Sequence, residues 1–194
     1  MRFFVALLWR LLIYNPFNMN KKQLETLKKN NEETRNFIRS CISFALMVLL
    51  KDEKITNISV SRLCTIAGVS RTAFYRNYKT IEDVLVDKIK ELVLQIGNKM
   101  GVDVYDNWLV VFTVVDENRR DFESIIKSGY EYKIYDVMMS LLPKGTENRN
   151  IQAIWLSLFY TYIVNWVKEG KPKKAEEIAR IAYKYTKNIP LVTA

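Results

Sequence analysis

Cationic and hydrogen-bonding side chains crowd the run SVSRLCTIAGVSRTAFYRNYK, which extends from Ser59 to Lys79 and contains no Asp or Glu. Affinity for DNA rests largely on neutralising phosphates, so an acidic residue here would oppose it. Arg can hold a guanine edge through two hydrogen bonds, Thr and Asn can bond base edges, and Tyr can reach a phosphate. The run has the chemistry of a nucleic-acid contact surface, although any small basic helix pair gives a similar pattern. Its basic residues are Arg62, Arg71, Arg76 and Lys79.

The spacing within this run predicts two short helices that would position these side chains. Apolar residues recur at i, i+3, i+4 and i+7 after Ser59, as one face of an amphipathic helix requires. Gly68 then supplies the left-handed conformation that ends a helix, and Ser70 is a good N-cap for the next one. Two short helices joined by a tight Gly turn are typical of a helix-turn-helix. In the second helix Phe74 and Tyr78 can pack inward, which leaves outward Arg71, Thr72, Tyr75, Arg76 and Asn77.

The run from Ile58 to Leu85 closely resembles the DNA-binding domain of TetR-family transcriptional regulators, through its segments ISVxxL, AGVSR, FYRxYK and EDVL. In that family a homodimer binds an operator, the second short helix enters the major groove, and a ligand bound elsewhere releases the DNA. By position, the resemblance implies groove contacts from Ser61, Arg71, Thr72 and Ala73, and phosphate contacts from Ser59, Ser70, Tyr75 and Asn77.

One position departs from the family pattern. Many members have a Lys just inside the next helix, where this chain has Ile81. Either Lys79, two residues earlier, supplies that phosphate charge, or the contact is absent.

Composition limits the other functions that are open to the chain. Its 194 residues are 49% hydrophobic and carry a formal charge of +9, which favours an anionic partner such as nucleic acid or an acidic membrane surface. His is absent, which excludes His-based catalytic triads and His-ligated zinc sites. Cys41 and Cys64 have no metal-ligand spacing, so we expect buried free thiols rather than a disulfide.

Residues 1–18, MRFFVALLWRLLIYNPFN, are apolar and aromatic. The run from Phe3 to Tyr14 is shorter than the roughly 20 apolar residues of a membrane span. Arg10 splits it, and no small-residue cleavage site of a signal peptide follows. Three interpretations stay open: a start assigned upstream of a natural Met19, an amphipathic anchor at a membrane surface, or a helix that packs on the protein itself.

Helical periodicity continues through the rest of the chain, and no segment alternates as a strand would. Residues 20–33 are expected to form a charged arm or frayed helix entry before an amphipathic helix at about 34–50. Thr80 caps a helix that runs to Gly97 or Gly101 and is long enough to join two domains. Further helices are expected at about 104–115, 118–127, 130–142, 146–168 and 173–187.

The predicted fold class is therefore all-α and TetR-like, with about nine helices. Its parts are an apolar extension at 1–18, a three-helix helix-turn-helix DNA-binding domain at 19–85, and a helical ligand-binding and dimerisation domain at 86–194.

Two sets of aromatic residues could serve the second domain. The segment WLSLFYTYIVNWVKEG resembles the penultimate helix of many TetR-family regulators, which implies a self-complementary dimer face; the alternative is the core of a monomer. That face would comprise Trp155, Phe159, Tyr162, Trp166, Ile178 and Ile181. Aromatic residues of the middle helices either line a ligand cavity or are simple core, and the candidates for the lining are Trp108, Phe112, Tyr130 and Tyr135.

The leading hypothesis is a cytoplasmic transcriptional regulator, a repressor that binds double-stranded operator DNA as a homodimer and senses an unidentified small-molecule effector. The alternative is a helical adaptor on a membrane surface, which would use residues 1–14 and the positive charge. An enzyme is not expected, because the chain has no His, no Gly-rich phosphate loop and no paired carboxylates in an evident apolar site. Under the leading hypothesis neither a cofactor, nor a metal, nor membrane contact is expected.

Overall fold

The computed structural model describes residues 21–145, 148–170 and 172–190. Within these ranges every regular element is helical, with nine α-helices and one short 3-10 helix at Ile55–Asn57. The predicted all-α fold class is confirmed. All expectations for residues 1–18 fall outside the described residues, and so does the segment on which the membrane-adaptor hypothesis depends.

The helices that the sequence predicts after Thr80 are all present, with their ends shifted by a few residues. No helix in the described ranges is long and apolar enough to cross a membrane. In chain order the helices are α1 (Lys21–Leu49), α2 (Val60–Ala67), α3 (Arg71–Asn77), α4 (Ile81–Gly97), α5 (Val104–Glu117), α6 (Arg119–Lys127), α7 (Tyr132–Ser140), α8 (Arg149–Lys168) and α9 (Ala175–Thr186).

Helix α1 begins at Lys21, well before residue 34, where the sequence pattern places its start. Residues 21–33 are mostly the strong helix formers Lys, Gln, Leu and Glu, and Asn30 and Asn31 do not interrupt them. Of the two expectations for residues 20–33, a charged arm and a helix entry, the structure shows helix from Lys21 onward. Internal contacts divide the chain into two compact units between Ser40 and Cys41, so α1 contributes to both.

The first unit contains residues 21–40 of α1, where several side chains contact neighbours one turn away. The hydroxyls of Thr26 and Thr34 donate to the carbonyl oxygens four residues earlier at 2.9 and 2.8 Å. Lys29 and Glu33 form an exposed ion pair at 3.9 Å, an arrangement that adds little stability in water. The ring of Phe37 is 69% exposed.

The second unit begins with the buried end of α1. Ile42, Ala45 and Leu46 are at most 1% exposed, which confirms that this part of the helix is amphipathic, as predicted. Among the later helices, α9 packs along α5, α4 packs on α7, and α8 contacts α5, α6 and α7. The α4 helix is continuous through residues 85 and 86, so the predicted domain boundary falls inside it and remains a prediction.

An aromatic cluster forms the centre of the later helices, with Trp108 of α5 at its middle. Its ring stacks on Phe112 at 5.8 Å and meets Phe159 and Tyr162 of α8 edge-on at 4.7 and 4.9 Å. Its indole N–H donates to Thr186 Oγ1 of α9 at 2.8 Å. Because that N–H is buried, the hydrogen bond avoids the cost of an unsatisfied donor. One residue thus connects α5, α8 and α9.

Polar contacts join α4 to the helices that follow it. Lys88 Nζ lies 3.0 Å from Asp121 of α6 and 3.1 Å from Glu91. Burial alone would lower the pKa of Lys88, but its hydrogen bonds and ion pairs with these two carboxylates raise it above the usual value. The Tyr130 hydroxyl donates to Glu82 at the start of α4 at 3.1 Å. Helix α4, which follows the helix-turn-helix, is therefore attached to α6 and to the segment before α7.

Candidate nucleic-acid interface

Helix α2 begins and ends with the geometry that its sequence predicts. Ser59 is the N-cap, and its Oγ accepts a hydrogen bond from the Arg62 N–H at 3.2 Å. Gly68 ends the helix with φ 66° in the left-handed region, which a residue with a Cβ adopts only at a steric cost. The Val69 N–H then donates to the Cys64 carbonyl at 3.0 Å, which closes the turn. The left-handed Gly68 and this hydrogen bond together end α2 and lead the chain towards α3.

Helix α3 is held by one face and exposed on the other. The Ser70 Oγ caps it by accepting from the Ala73 N–H at 3.1 Å. Phe74 is fully buried, and the buried ring of Tyr78 donates its hydroxyl to Asp87 Oδ2 of α4 at 2.7 Å. These anchors fix the rotation of α3 about its axis. The residues left exposed are Arg71, Thr72, Tyr75 and Arg76.

The start of α4 fixes the backbone beside Lys79. Asp83 Oδ2 accepts from the N–H groups of Lys79 and Thr80 at 3.0 and 2.8 Å, while Thr80 Oγ1 accepts from the Asp83 N–H at 3.1 Å. This reciprocal capping box satisfies amides that the first turn leaves unpaired. The hydrogen bond from the Thr80 backbone is the main reason that the pKa of Asp83 lies below its usual value.

Most of the predicted DNA-contact residues lie on the exposed side of α2 and α3. Ala73 and Asn77 are half-buried, and Asn77 donates its amide to the Ala73 carbonyl at 2.8 Å. The hydroxyls of Ser59 and Ser70 act as caps, but a hydroxyl that accepts can still donate its own proton to a phosphate. The predicted residues with exposed side chains are Ser59, Ser61, Ser70, Arg71, Thr72, Tyr75 and Lys79.

Two carboxylates outside the basic run shape it, and the sequence analysis missed both. The Arg62 guanidinium pairs with Glu53, which lies before α2, so part of the positive charge of α2 is neutralised. Asp87 receives the Tyr78 hydroxyl and thereby ties α3 to α4. The two residues of each pair are nine positions apart in sequence and lie in different elements. Helical periodicity therefore does not link them.

The two thiols behave as the sequence predicts in one respect and differ in another. Both Cys41 and Cys64 are free, but only Cys64 is buried and Cys41 is half-buried. Burial raises the pKa of the Cys64 thiol, against the opposing positive charge of Arg71. A raised pKa favours the thiol over the reactive thiolate.

An apolar cavity of about 70 Å³ lies between α4, α5, α6, α7 and α8. None of the four residues predicted to line a ligand cavity lies in the wall of this cavity. Their role in ligand binding stays a prediction. No charged side chain borders the cavity. Its lining is Val93, Ile96, Gly97, Met100, Val111, Phe122, Ile134, Met138, Leu156, Phe159 and Ile163.

The four predicted lining residues have other neighbours. Trp108 and Phe112 are fully buried in the aromatic cluster, where their rings fill space. Tyr130 stacks on Tyr132 at 5.9 Å, and burial followed by the hydrogen bond to Glu82 raises the pKa of its hydroxyl. Tyr135 packs on the Tyr160 ring at 5.6 Å. Aromatic type alone did not distinguish a ring that fills a core from one that borders a void.

The residues predicted for a dimer face divide into two groups. Trp155, Phe159 and Trp166 are at most 5% exposed and pack inside the protomer, so little of their surface is left for a partner. The periodicity identified the apolar face of α8 correctly, but that face meets α5. Tyr162, Ile178 and Ile181 are half-buried and keep some surface. Nearby on the same two helices, Ile154 is 51% and Tyr185 71% exposed.

These elements define a class of all-helical proteins. In this class a helix-turn-helix with a basic outer face is joined by one helix, here α4, to a bundle of further helices. No protein-family model matches the chain. No curated protein matches it either.

Solved structures place the fold within that class. The TetR transcriptional regulator from Streptococcus agalactiae 2603V superposes with a TM-score of 0.58 at 13% identity, covering 81% of this chain and 98% of that one. NalD from Pseudomonas aeruginosa, the secondary repressor of the MexAB-OprM multidrug efflux pump, gives a TM-score of 0.55 at 14% identity, covering 76% and 93%. The chain therefore has the fold of TetR-family transcriptional regulators, and the predicted resemblance is confirmed at the level of the fold.

Proposed function

We propose that this protein is a DNA-binding transcriptional regulator that binds a palindromic operator as a homodimer, represses transcription in the cytoplasm, and is released by a small molecule. The observation that carries the proposal is the orientation of α3. Its buried face holds Phe74 and Tyr78, and its exposed face presents Arg71, Thr72 and Tyr75. A rigid helix with this chemistry on its outer face suits the major groove.

The contact residues would divide between reading bases and holding the backbone. Arg71 and Thr72, at the start of α3, would meet base edges together with Ser61, and the Ala73 methyl could pack on a thymine methyl. Ser59, Ser70, Tyr75 and Lys79 would bind phosphates and set the position of the protein. Asn77 would be a weaker phosphate ligand than Tyr75, because its amide already bonds to its own helix.

The apolar cavity suggests the class of effector. Its wall carries no charge, so an uncharged apolar molecule would pay the smallest desolvation cost there. At about 70 Å³ it is far smaller than the ~300 Å³ or more of an ordinary ligand pocket. An effector would therefore displace the wall, to which α4 contributes several residues. Movement of α4 would carry the start of that helix, and with it the attached α3, away from the DNA.

The dimer would use the outer side of α8 and α9. The residues with surface there are Ile154, Tyr162, Ile178, Ile181 and Tyr185. A two-fold interface needs one self-complementary patch, and an apolar patch on two adjacent helices can provide it. Two copies of α3 would then face successive major grooves of a palindrome.

The first test is selection of bound duplexes from a random DNA pool at near-physiological salt. The wild-type chain should enrich an inverted repeat, and Arg71→Ala should flatten base preference at the positions that Arg71 reads, by about 1–3 kcal/mol per base pair. Arg180→Ala removes an equally exposed guanidinium from α9 and should leave the repeat unchanged. If Arg71→Ala enriches the same repeat with the same discrimination, Arg71 does not read bases.

Lys79 has a different signature because a phosphate contact is insensitive to sequence. Lys79→Ala should weaken operator and random DNA about equally and reduce the slope of log K against log salt by roughly one. Lys90→Ala, which removes an exposed charge from α4, is the matched control and should leave the slope unchanged. An unchanged slope in Lys79→Ala would place that ammonium away from the DNA.

A further inference from the structure

An open groove of about 230 Å³, with charged residues in its walls, lies between the segment that follows α1 and the face of α6. It is separate from the exposed face of α3 and shares no lining residue with the apolar cavity. Its walls are Lys51, Arg120, Glu123, Ser124 and Lys127.

Positive charge dominates the groove. Lys51, Arg120 and Lys127 are exposed, and none of them forms an ion pair with a carboxylate in the part of the chain that the structure describes. The only acidic wall residue is Glu123, which accepts from the Arg119 Nε at 2.6 Å. Three cations thus surround a hollow whose single carboxylate is already paired.

The geometry of the groove is set by the fold. Arg120, Ser124 and Lys127 follow the i, i+4, i+7 pattern on one face of α6. Ser124 is only 3% exposed, and its hydroxyl donates to the Arg120 carbonyl at 2.8 Å. The Lys127 ammonium donates to the Lys51 carbonyl, which holds it over the groove with its remaining N–H groups available for another acceptor. The Lys127 ammonium is therefore oriented before any ligand arrives.

We propose that this groove binds a small anion that bears phosphate groups, such as a pyrophosphate or a phosphate ester. A guanidinium matches two phosphate oxygens with its fork of donors, and ammonium groups bind phosphate as point charges. The volume exceeds that of several waters, each about 30 Å³ in the liquid, so it admits more than one phosphate group. A bound anion would also bridge the segment after α1 to α6, and so connect the part of the chain that leads into α2 with the later helices.

Calorimetric titration of the full chain with inorganic pyrophosphate at constant ionic strength tests this proposal without DNA. Wild type should show saturable binding to one site per chain. Lys51→Gln combined with Arg120→Gln and Lys127→Gln should weaken it about tenfold, since each exposed charge contributes modestly. The control combines Lys90→Gln, Lys144→Gln and Arg180→Gln, which removes the same types of charge at other exposed positions; it should change the affinity less than about twofold.

Two further arms keep the test decisive. Arg120→Lys preserves the charge but removes the fork, and should weaken pyrophosphate binding several-fold even if the triple variant unfolds. Titration of the same proteins with a random duplex shows whether the cations serve DNA instead. The proposal is overturned by no saturable binding in wild type, by equal losses in the triple variant and its control, by full affinity in Arg120→Lys, or by a loss confined to duplex DNA.

Discussion

The helix-turn-helix of α2 and α3 and the bundle of α5 to α9 are built in opposite ways. In the first, the groups that set the geometry are local: two serine caps, one left-handed Gly and the Thr80–Asp83 capping box. In the second, the decisive contacts join distant residues, as in the hydrogen bond from Trp108 to Thr186. The comparison shows that a contact surface can be specified by short segments, whereas a bundle core requires the whole chain.

The two regions also differ in where their characteristic side chains point. The polar residues of α3 face solvent, so replacing them should change binding more than stability. The aromatic residues of the bundle face one another, so replacing them should change stability first. Three predictions test this contrast, from the largest expected effect to the smallest.

Trp108→Ala should lower the free energy of unfolding by about 3–5 kcal/mol, since it removes a fully buried indole. It also removes the N–H group that donates to Thr186 Oγ1. Arg71→Ala, on the exposed face of α3, should stay within about 0.5 kcal/mol of wild type. Urea denaturation followed by circular dichroism measures both. Similar losses in the two variants would erase the distinction between the regions.

Gly68→Ala and Gly97→Ala should have opposite signs, although both replace Gly by Ala. Gly68 has φ 66°, and a Cβ in that conformation costs roughly 1–2 kcal/mol. Gly97 is helical, and an added Cβ would meet no atom within 4 Å, so Ala should stabilise the chain by about 0.5–1 kcal/mol. Urea midpoints at fixed m-value give both numbers. A stabilised Gly68→Ala would show that the turn does not need the left-handed region.

Asp83→Asn should have the smallest effect of the three predictions. It tests whether the stability that the capping box contributes depends on pH. The folded-state pKa of Asp83 lies below its unfolded-state value, so the carboxylate contributes stability at pH above about 4. That contribution disappears as the pH falls through the folded-state pKa. The gap in urea midpoint between wild type and Asp83→Asn should therefore be present at pH 6 and narrow on acidification below about pH 4. If the difference in urea midpoint stays constant with pH, the charge of the Asp83 carboxylate does not contribute to stability.

Much of the fold was predictable because its signals are local. The caps at Ser59 and Ser70, the turn at Gly68 and the inward pair Phe74 and Tyr78 all lie where the sequence places them. Helix α1 starts earlier than the sequence pattern predicts, because a charged segment without an apolar stripe gives no periodicity signal. Helix propensity extends the helix over that segment whether or not it buries a face.

The candidate site was predictable for its exposed residues and unpredictable for its surroundings. Glu53 and Asp87 became visible only when the fold brought them to Arg62 and Tyr78. The apolar cavity lies beside the aromatic cluster, and not within it, because rings such as Trp108 pack against one another and leave space elsewhere. The sequence identifies apolar residues that will be buried. It does not show which of them pack tightly and which border a cavity.

The sequence by itself determined the helices, their caps and the polar outer face of α3, since each depends on residues within one or two turns of the chain. Tertiary structure alone decided which helix the apolar face of α8 packs against, which side chains border the cavity, and where the cations of α6 meet Lys51. The physical reason is the range of the forces involved. Backbone capping and helical periodicity act between near neighbours in sequence, whereas burial and charge pairing depend on distances that only the folded chain sets.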